Sequence, residues 1–134
     1  MSVRKIYIDL VLLAARLASG VLMLPHGWRK VGKIMEGDFK FANPIGIGEK
    51  ASLICTAGAE FGASILLIAG LFTRVSAAIL AFTAFVIAFV HHFSDPMEDK
   101  ELGLMYLVVY LTILTFGAGK FSADYLIQTY IRKR

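Results

Sequence analysis

The amino-acid sequence predicts an all-α integral membrane protein, folded as one four-helix bundle in which neighbouring spans run antiparallel. Hydrophobic residues make up 57% of the 134-residue chain and charged residues only 18%, whereas soluble domains average about half and a quarter. The apolar residues are collected into four stretches, each close to the roughly 20 residues that a helix needs to cross a bilayer. The second and third connections are short, which favours antiparallel neighbours.

The four predicted spans leave almost no chain for a second domain. They cover about residues 6–25, 52–72, 75–92 and 101–119, so we expect residues 1–134 to form a single membrane domain. A cleaved signal peptide is the alternative for the first stretch. Arg16 interrupts its apolar run, which is atypical of a signal sequence, and we therefore expect the stretch to be retained as a span.

The first loop, about residues 26–50, is the only long connection. It mixes apolar residues such as Phe39, Phe41 and Ile45 with charged ones. This composition is typical of a segment that lies on the membrane surface or partly caps the bundle. A solvated linker fits the same residues, and the sequence leaves both interpretations open.

The distribution of charge predicts a multi-pass protein of the cell membrane with both termini in the cytoplasm. Lys and Arg residues divide almost evenly between the two sides, so the positive-inside rule gives only a weak bias. The net charge of +4 comes mostly from residues that flank the spans, and we expect the lipid bilayer rather than nucleic acid as the partner. Cys55 is the only cysteine, which excludes an intrachain disulfide, and no metal site is predicted.

Two of the charged residues inside the predicted spans lie near mid-depth, and they are the first candidates for a functional site. Arg16 and Glu60 fall near mid-depth of adjacent spans if each residue rises 1.5 Å. A charge at that depth costs at least about 2.5–3.5 kcal/mol, so such groups usually face inward and pair. We predict an Arg16–Glu60 ion pair, and Asp9–Arg74 as a second pair. Both pairs could instead serve only to fix the register of the helices.

Small residues around Glu60 suggest close helix packing. Gly58 and Gly62 form a GxxxG step, and Gly20 lies one turn after Arg16. In lipid, such residues let helix backbones approach each other. We assign them to packing and to no other function.

A second group of candidates lies at the outer ends of the spans. His26, His91, His92 and Glu101 converge in depth, with Asp95 and Lys30 nearby. Imidazoles beside carboxylates could relay protons or hydrogen-bond a quinone carbonyl, although interfacial histidines bound to water fit equally well. Further along the chain, Tyr106 and Tyr110 are one helical turn apart, and they either line a cavity or pack in the core.

The motifs in these spans resemble the DoxX family of small four-helix membrane proteins. The stretches that carry the resemblance are LAARLASGVLMLPHGWRK, AEFGASILLIAGLFTR and GAGKFSAD, with FVHHFSDP and KELGLMYL between the last two. The resemblance implies a membrane protein associated with oxidoreductase systems, including quinone-linked sulfur oxidation. More distant relatives are cargo receptors or assembly factors. The positions that fit the polar and glycine pattern of the family are Arg16, His26, Lys30, Glu60, Arg74, Glu101, Gly117, Gly119 and Asp124.

Two functional hypotheses follow. In the first, the chain is a membrane subunit of a quinone-associated oxidoreductase system and binds a small hydrophobic or quinone-like ligand. Arg16 and Glu60 would form the floor of the site, His26, His92 and Glu101 its rim, and a partner oxidoreductase would exchange electrons. In the second, it is a scaffold, an assembly factor or a proton-coupled transporter that uses Glu60. The sequence leaves open the substrate, the catalytic residues and whether the chain forms a homo-oligomer.

Overall fold

The regular secondary structure of the protein is helical wherever the computed structural model describes it, over residues 3–134. The five helices of this part of the chain are α1 (Val3–Met35), α2 (Glu49–Ala69), α3 (Thr73–His91), α4 (Met97–Phe116) and α5 (Ala123–Arg132). Among them, α1, α2 and α3 are long and apolar enough to cross a membrane. The protein is therefore all-α, with three candidate membrane-spanning helices.

Helix α1 runs for 33 residues and passes through Pro25, the residue at which the sequence suggested that the first span ends. A proline inside a helix removes one backbone hydrogen bond and crowds the preceding turn. Membrane helices tolerate this cost because neighbouring groups satisfy the freed carbonyl. As a result, His26 and Lys30 belong to α1 itself rather than to the first loop.

Helices α2 and α3 each contain a π-helical segment, Gly58–Ala63 and Val86–His91 respectively. A π-helical turn is wider than an α-helical turn, so it changes the direction in which the following side chains point. Such segments are rare and are frequent at functional sites. Glu60 lies in the first of them, and the second ends next to His92.

The register of α1 against α2 depends on two glycines of α1. A Cβ atom on Gly27 would lie 2.5 Å from the backbone nitrogen of Phe61, and one on Gly20 would lie 2.5 Å from the side chain of Ile68. The expected GxxxG step does not have this role, because added Cβ atoms on Gly58 and Gly62 would meet open space. Close approach therefore places Gly27 directly beside the Glu60–Phe61 backbone.

Helices α1 to α4 all contribute to the buried core. Its members include Met23 from α1, Leu67 from α2, Leu80 from α3, and Tyr110 and Ile113 from α4. The hydroxyl of Tyr110 donates a hydrogen bond of 3.5 Å to the carbonyl oxygen of Ser19. Tyr110 therefore packs in the core, which is one of the two roles that the sequence suggested for it.

The start of α3 is capped by a residue that is distant in sequence. Both carboxylate oxygens of Asp124, at the start of α5, accept hydrogen bonds of 2.9 Å from the backbone N–H groups of Phe72 and Thr73. The backbone N–H of Asp124 donates to the carbonyl oxygen of Gly70. An acceptor at this position satisfies N–H groups that lack a partner within the helix. The α2–α3 turn and the start of α5 are therefore held together.

Candidate functional site

Glu60 is buried in an ion pair with Lys30. The Lys30 Nζ lies 2.5 Å from Glu60 Oε2, and the two side chains are 18% and 3% exposed. The same Nζ donates a longer hydrogen bond, 3.5 Å, to the carbonyl oxygen of His26. The predicted Arg16–Glu60 pair is therefore wrong, because the partner of Glu60 is Lys30, the cation that the uninterrupted α1 brings beside it.

Arg16 packs against Gly70, just after the C-terminal end of α2. Its side chain is completely buried, and its Nη2 donates to the carbonyl oxygen of Phe121. A Cβ on Gly70 would collide with the guanidinium, so only glycine fits at this position, where φ is +71°. Gly70 is ten residues from Glu60 along the sequence, or about 15 Å along a helix. Arg16 is too far from Glu60 to pair with it.

Glu60 and Lys30 line an interior cavity of about 200 Å³. Its other polar wall residues are His26, Thr83, His92, Asp99 and Tyr106. The structure thus brings together five residues that the sequence suggested as candidates: Glu60, His26, His92, Lys30 and Tyr106. Glu101, by contrast, is exposed and lies outside the lining of this cavity. Asp99 takes its place because residues two apart on a helix point in nearly opposite directions.

A larger groove of about 610 Å³ lies on the other side of the ion pair. It runs between α2 and α3 and is covered in part by the first loop. The lining is mostly apolar and comprises Phe41, Ala42, Pro44, Ile45, Ile47, Ser52, Cys55, Thr56, Ala59, Ala78, Ile79, Phe82, Val86 and His91, together with four residues shared with the cavity, Lys30, Glu60, Thr83 and Ile87. The Lys30–Glu60 pair therefore forms part of a wall between an apolar groove and a polar cavity.

His92 connects the interior cavity to the surface of the protein. It lines the cavity, and its Nδ1 lies 2.7 Å from Oδ2 of the exposed Asp95. The ring of His91 packs edge-on against that of His92, with 4.6 Å between centroids, and His91 itself is exposed at the groove. Of the two neighbouring histidines, only His92 faces the cavity.

The second predicted ion pair, Asp9–Arg74, is also wrong. Asp9 Oδ1 accepts a hydrogen bond of 3.1 Å from the backbone N–H of Lys120, and Arg74 Nη2 donates one of 3.4 Å to the carbonyl oxygen of Thr115. The turn after α4 separates them, since Gly117 lies against Arg74 and Gly119 against Asp9. Both side chains line a polar pocket of about 640 Å³ at this end of the protein.

Several residues of the site could not be recognised from the sequence. Asp99 lies in the charged first turn of α4, Thr83 lies in an apolar span, and neither belongs to a motif. Nothing in the sequence marks the two π-helical segments either. The first loop did give a signal, since its mixture of apolar and charged residues suggested a partial cap. Within residues 3–134, no three His, Cys, Asp or Glu side chains are grouped closely enough to hold a metal ion.

Comparison with known protein families gives one match. The model of the DoxX family matches residues 11–93 of the chain, a range that includes Lys30, Glu60 and His92. The chain belongs to the DoxX family. This confirms the resemblance that the motifs suggested, and together with the long apolar helices it identifies a membrane protein. Neither the curated proteins nor the solved structures contain a significant match to the chain.

Proposed function

We propose that this DoxX protein binds a quinone-like ligand and acts as the membrane subunit of a redox-linked oxidoreductase system. The observation that carries the proposal is the position of the Lys30–Glu60 pair. It lies between an apolar groove and a cavity lined by imidazole, carboxyl and phenol groups. A ligand with a polar ring and an apolar tail needs both environments next to each other.

The residues of the groove fit such a ligand. Its volume of about 610 Å³ is within the range of about 300–1,000 Å³ that is usual for small-molecule sites. Apolar side chains such as Ile79 and Phe82 suit an isoprenoid tail, and the Lys30 ammonium can donate a hydrogen bond to a ring carbonyl. Thr83 Oγ1 donates to the carbonyl oxygen of Ile79 and can accept a hydrogen bond from a hydroxyl of the reduced ring. Ile79 and Phe82 are exposed, so in a bilayer they would face lipid and the tail could enter from the membrane.

A bound quinone would supply reversible two-electron, two-proton redox chemistry, with a partner oxidoreductase exchanging the electrons. The chain itself would bind the ring and handle protons. Glu60 is the carboxylate closest to the groove, and it faces the cavity that also holds His26 and His92. Protons would pass between Glu60 and the surface through this cavity, with the His92–Asp95 pair at its outer end.

We further propose that α4 also crosses the membrane, which makes a four-span bundle with antiparallel neighbours and both termini in the cytoplasm. Residues 102–119 carry no charge, and Tyr110 and Ile113 of α4 belong to the same buried core as α1, α2 and α3. Basic residues at the end of the chain, such as Lys120 and Arg132, favour a cytoplasmic C-terminus.

A bulky residue in the groove is expected to reduce ligand binding. Ala78 lines the groove and is exposed, so Ala78→Trp should occupy the space of the tail without disturbing the core. We expect the affinity for a ubiquinone analogue with a decyl tail, measured in nanodiscs, to fall at least about tenfold, or 1.4 kcal/mol. The matched control is Ala18→Trp, because Ala18 is also exposed but lies on α1 and is not among the groove residues.

Equal binding by both variants would contradict a tail site in the groove. A protein that binds no quinone but takes up a solute into liposomes in a pH-dependent manner would instead indicate a proton-coupled transporter, provided that Glu60→Gln abolishes uptake. A stable protein partner together with an empty groove would favour the scaffold or assembly factor.

A further inference from the structure

Helix α5 exposes a continuous apolar face. Its ten residues include none that is buried, and Leu126, Tyr130 and Ile131 are 69%, 62% and 66% exposed. With Ile127, these residues recur at the spacing of one helical face. The opposite positions hold Tyr125, Gln128, Thr129 and Arg132.

The polar face of α5, not its apolar face, is the one that contacts the rest of the protein. Tyr125 and Gln128 of this face line the polar pocket beside Arg74, and Asp124, in the first turn of α5, caps α3. A helix on the surface of a soluble protein has the reverse orientation, with its apolar face on the core. The apolar face of α5 therefore points toward an apolar environment outside the protein.

Helix α5 is too short to cross a bilayer. Its ten residues extend about 15 Å at 1.5 Å per residue, about half of the roughly 30 Å of a bilayer core. An amphipathic helix of this kind lies in the plane of the interface, with its apolar face among the acyl chains.

Charge at this end of the protein favours an anionic surface. The basic residues here are Arg4, Lys5, Arg74, Lys120, Arg132, Lys133 and Arg134. The nearby carboxylates of Asp9 and Asp124 both accept hydrogen bonds from backbone N–H groups. Basic residues close to a membrane surface bind anionic lipid head groups.

We infer that α5 is an in-plane membrane anchor that binds anionic phospholipid. Leu126, Ile127, Tyr130 and Ile131 lie among the acyl chains, and the basic residues around the C-terminus contact the head groups. The anchor also holds the interior in place. Phe121, just before α5, accepts the hydrogen bond from Arg16, and Asp124 caps α3.

The test places single spin labels along α5 of the full-length protein, with Cys55→Ser as background. The labelled variants are Leu126→Cys and Tyr130→Cys on the apolar face, and Gln128→Cys on the polar face as the control. In vesicles of phosphatidylcholine and phosphatidylglycerol, collisions with oxygen report lipid and collisions with a water-soluble nickel chelate report water. We expect the oxygen-to-nickel ratio to be several-fold higher at positions 126 and 130 than at 128.

The preference for anionic lipid is tested by omitting phosphatidylglycerol and by the triple variant Arg132→Gln/Lys133→Gln/Arg134→Gln. In the Leu126→Cys protein we expect the ratio to fall when phosphatidylglycerol is omitted, and the triple variant to lose this dependence. Similar ratios at 126, 128 and 130 would overturn the in-plane anchor. Dipolar broadening between labels at 126 would overturn it in favour of contact with a second copy of the chain. An unchanged ratio without phosphatidylglycerol would overturn the lipid preference.

Discussion

Replacing Lys30 with methionine is expected to lower the free energy of unfolding by about 3–5 kcal/mol, because the change leaves a buried carboxylate without its partner. Glu60 is only 3% exposed, and its side chain forms an ion pair with Lys30, 2.5 Å away. Methionine keeps the length of the side chain and removes its charge. Reversible unfolding in mixed micelles measures the effect.

The chain contains a matched control in a second ion pair, which joins Lys33 of α1 to Asp38 of the first loop. Lys33 pairs with Asp38 at 2.9 Å, but these side chains are 36% and 46% exposed. Exposed pairs contribute little to stability because water and salt screen them, so Lys33→Met should have little effect. The double variant Lys30→Met/Glu60→Gln should recover most of the stability that Lys30→Met loses, since it removes both buried charges. Equal costs for Lys30→Met and Lys33→Met would show that the Lys30–Glu60 pair is not effectively buried.

The same variants test whether the Lys30–Glu60 pair only supports the fold or also binds the ligand. If the pair only fixes the register of α1 and α2, the double variant will be both stable and fully able to bind quinone. In our account, the double variant folds but binds the decyl quinone at least about tenfold more weakly. Lys30 Nζ and Glu60 are the charged groups at the junction of groove and cavity, and neither methionine nor glutamine carries a charge.

Gly27→Ala is the second change with a large expected effect. Its Cβ would lie 2.5 Å from Phe61 N, 2.7 Å from Glu60 C and 2.8 Å from Phe61 Cα. These are backbone atoms, which cannot rotate away, so α1 and α2 must separate. Overpacking costs about 1–3 kcal/mol, and we expect a value near the top of this range. Thermal unfolding in nanodiscs measures the loss.

Gly32→Ala provides the control for Gly27→Ala, because it lies on the same helix and its added Cβ would meet nothing within 4 Å. Alanine in place of a helical glycine stabilises by roughly 0.5–1 kcal/mol when there is space. The two substitutions should therefore change stability in opposite directions. A destabilisation of the same size at both positions would mean that close approach of α1 and α2 at Gly27 is not what fixes their register.

The four apolar spans could be located from the sequence because apolar length and charge spacing determine them locally, whereas α5 and the continuation of α1 beyond Pro25 were not predicted. The stretch around Glu60 and the histidine-bearing ends were also recognised as candidate sites on these grounds. Which cation would pair with Glu60 could not be predicted. That choice depends on register, and register depends on the contacts of Gly20 and Gly27 with α2.

The mistaken partner for Glu60 has a specific physical origin. Pro25 suggested the end of the first span, and counting depth from that end placed Arg16 at the level of Glu60. Since α1 continues to Met35, Lys30 comes level with Glu60 and Arg16 reaches the far end of α2. The prediction of Glu101 where the structure has Asp99 arose in a similar way. Which residues of α4 face the cavity depends on how α4 is rotated against α3.

If a quinone ring and tail occupy the groove next to Lys30 and Glu60, they will shield Cys55 from chemical modification. This residue is the only cysteine of the chain, it is exposed, and it lines the groove. The measurement is the rate at which a small maleimide modifies Cys55 in nanodiscs, with and without the decyl quinone. We predict that the quinone slows modification several-fold, and that a decyl benzene without carbonyl groups protects much less. An unchanged rate at high quinone concentration would contradict the account.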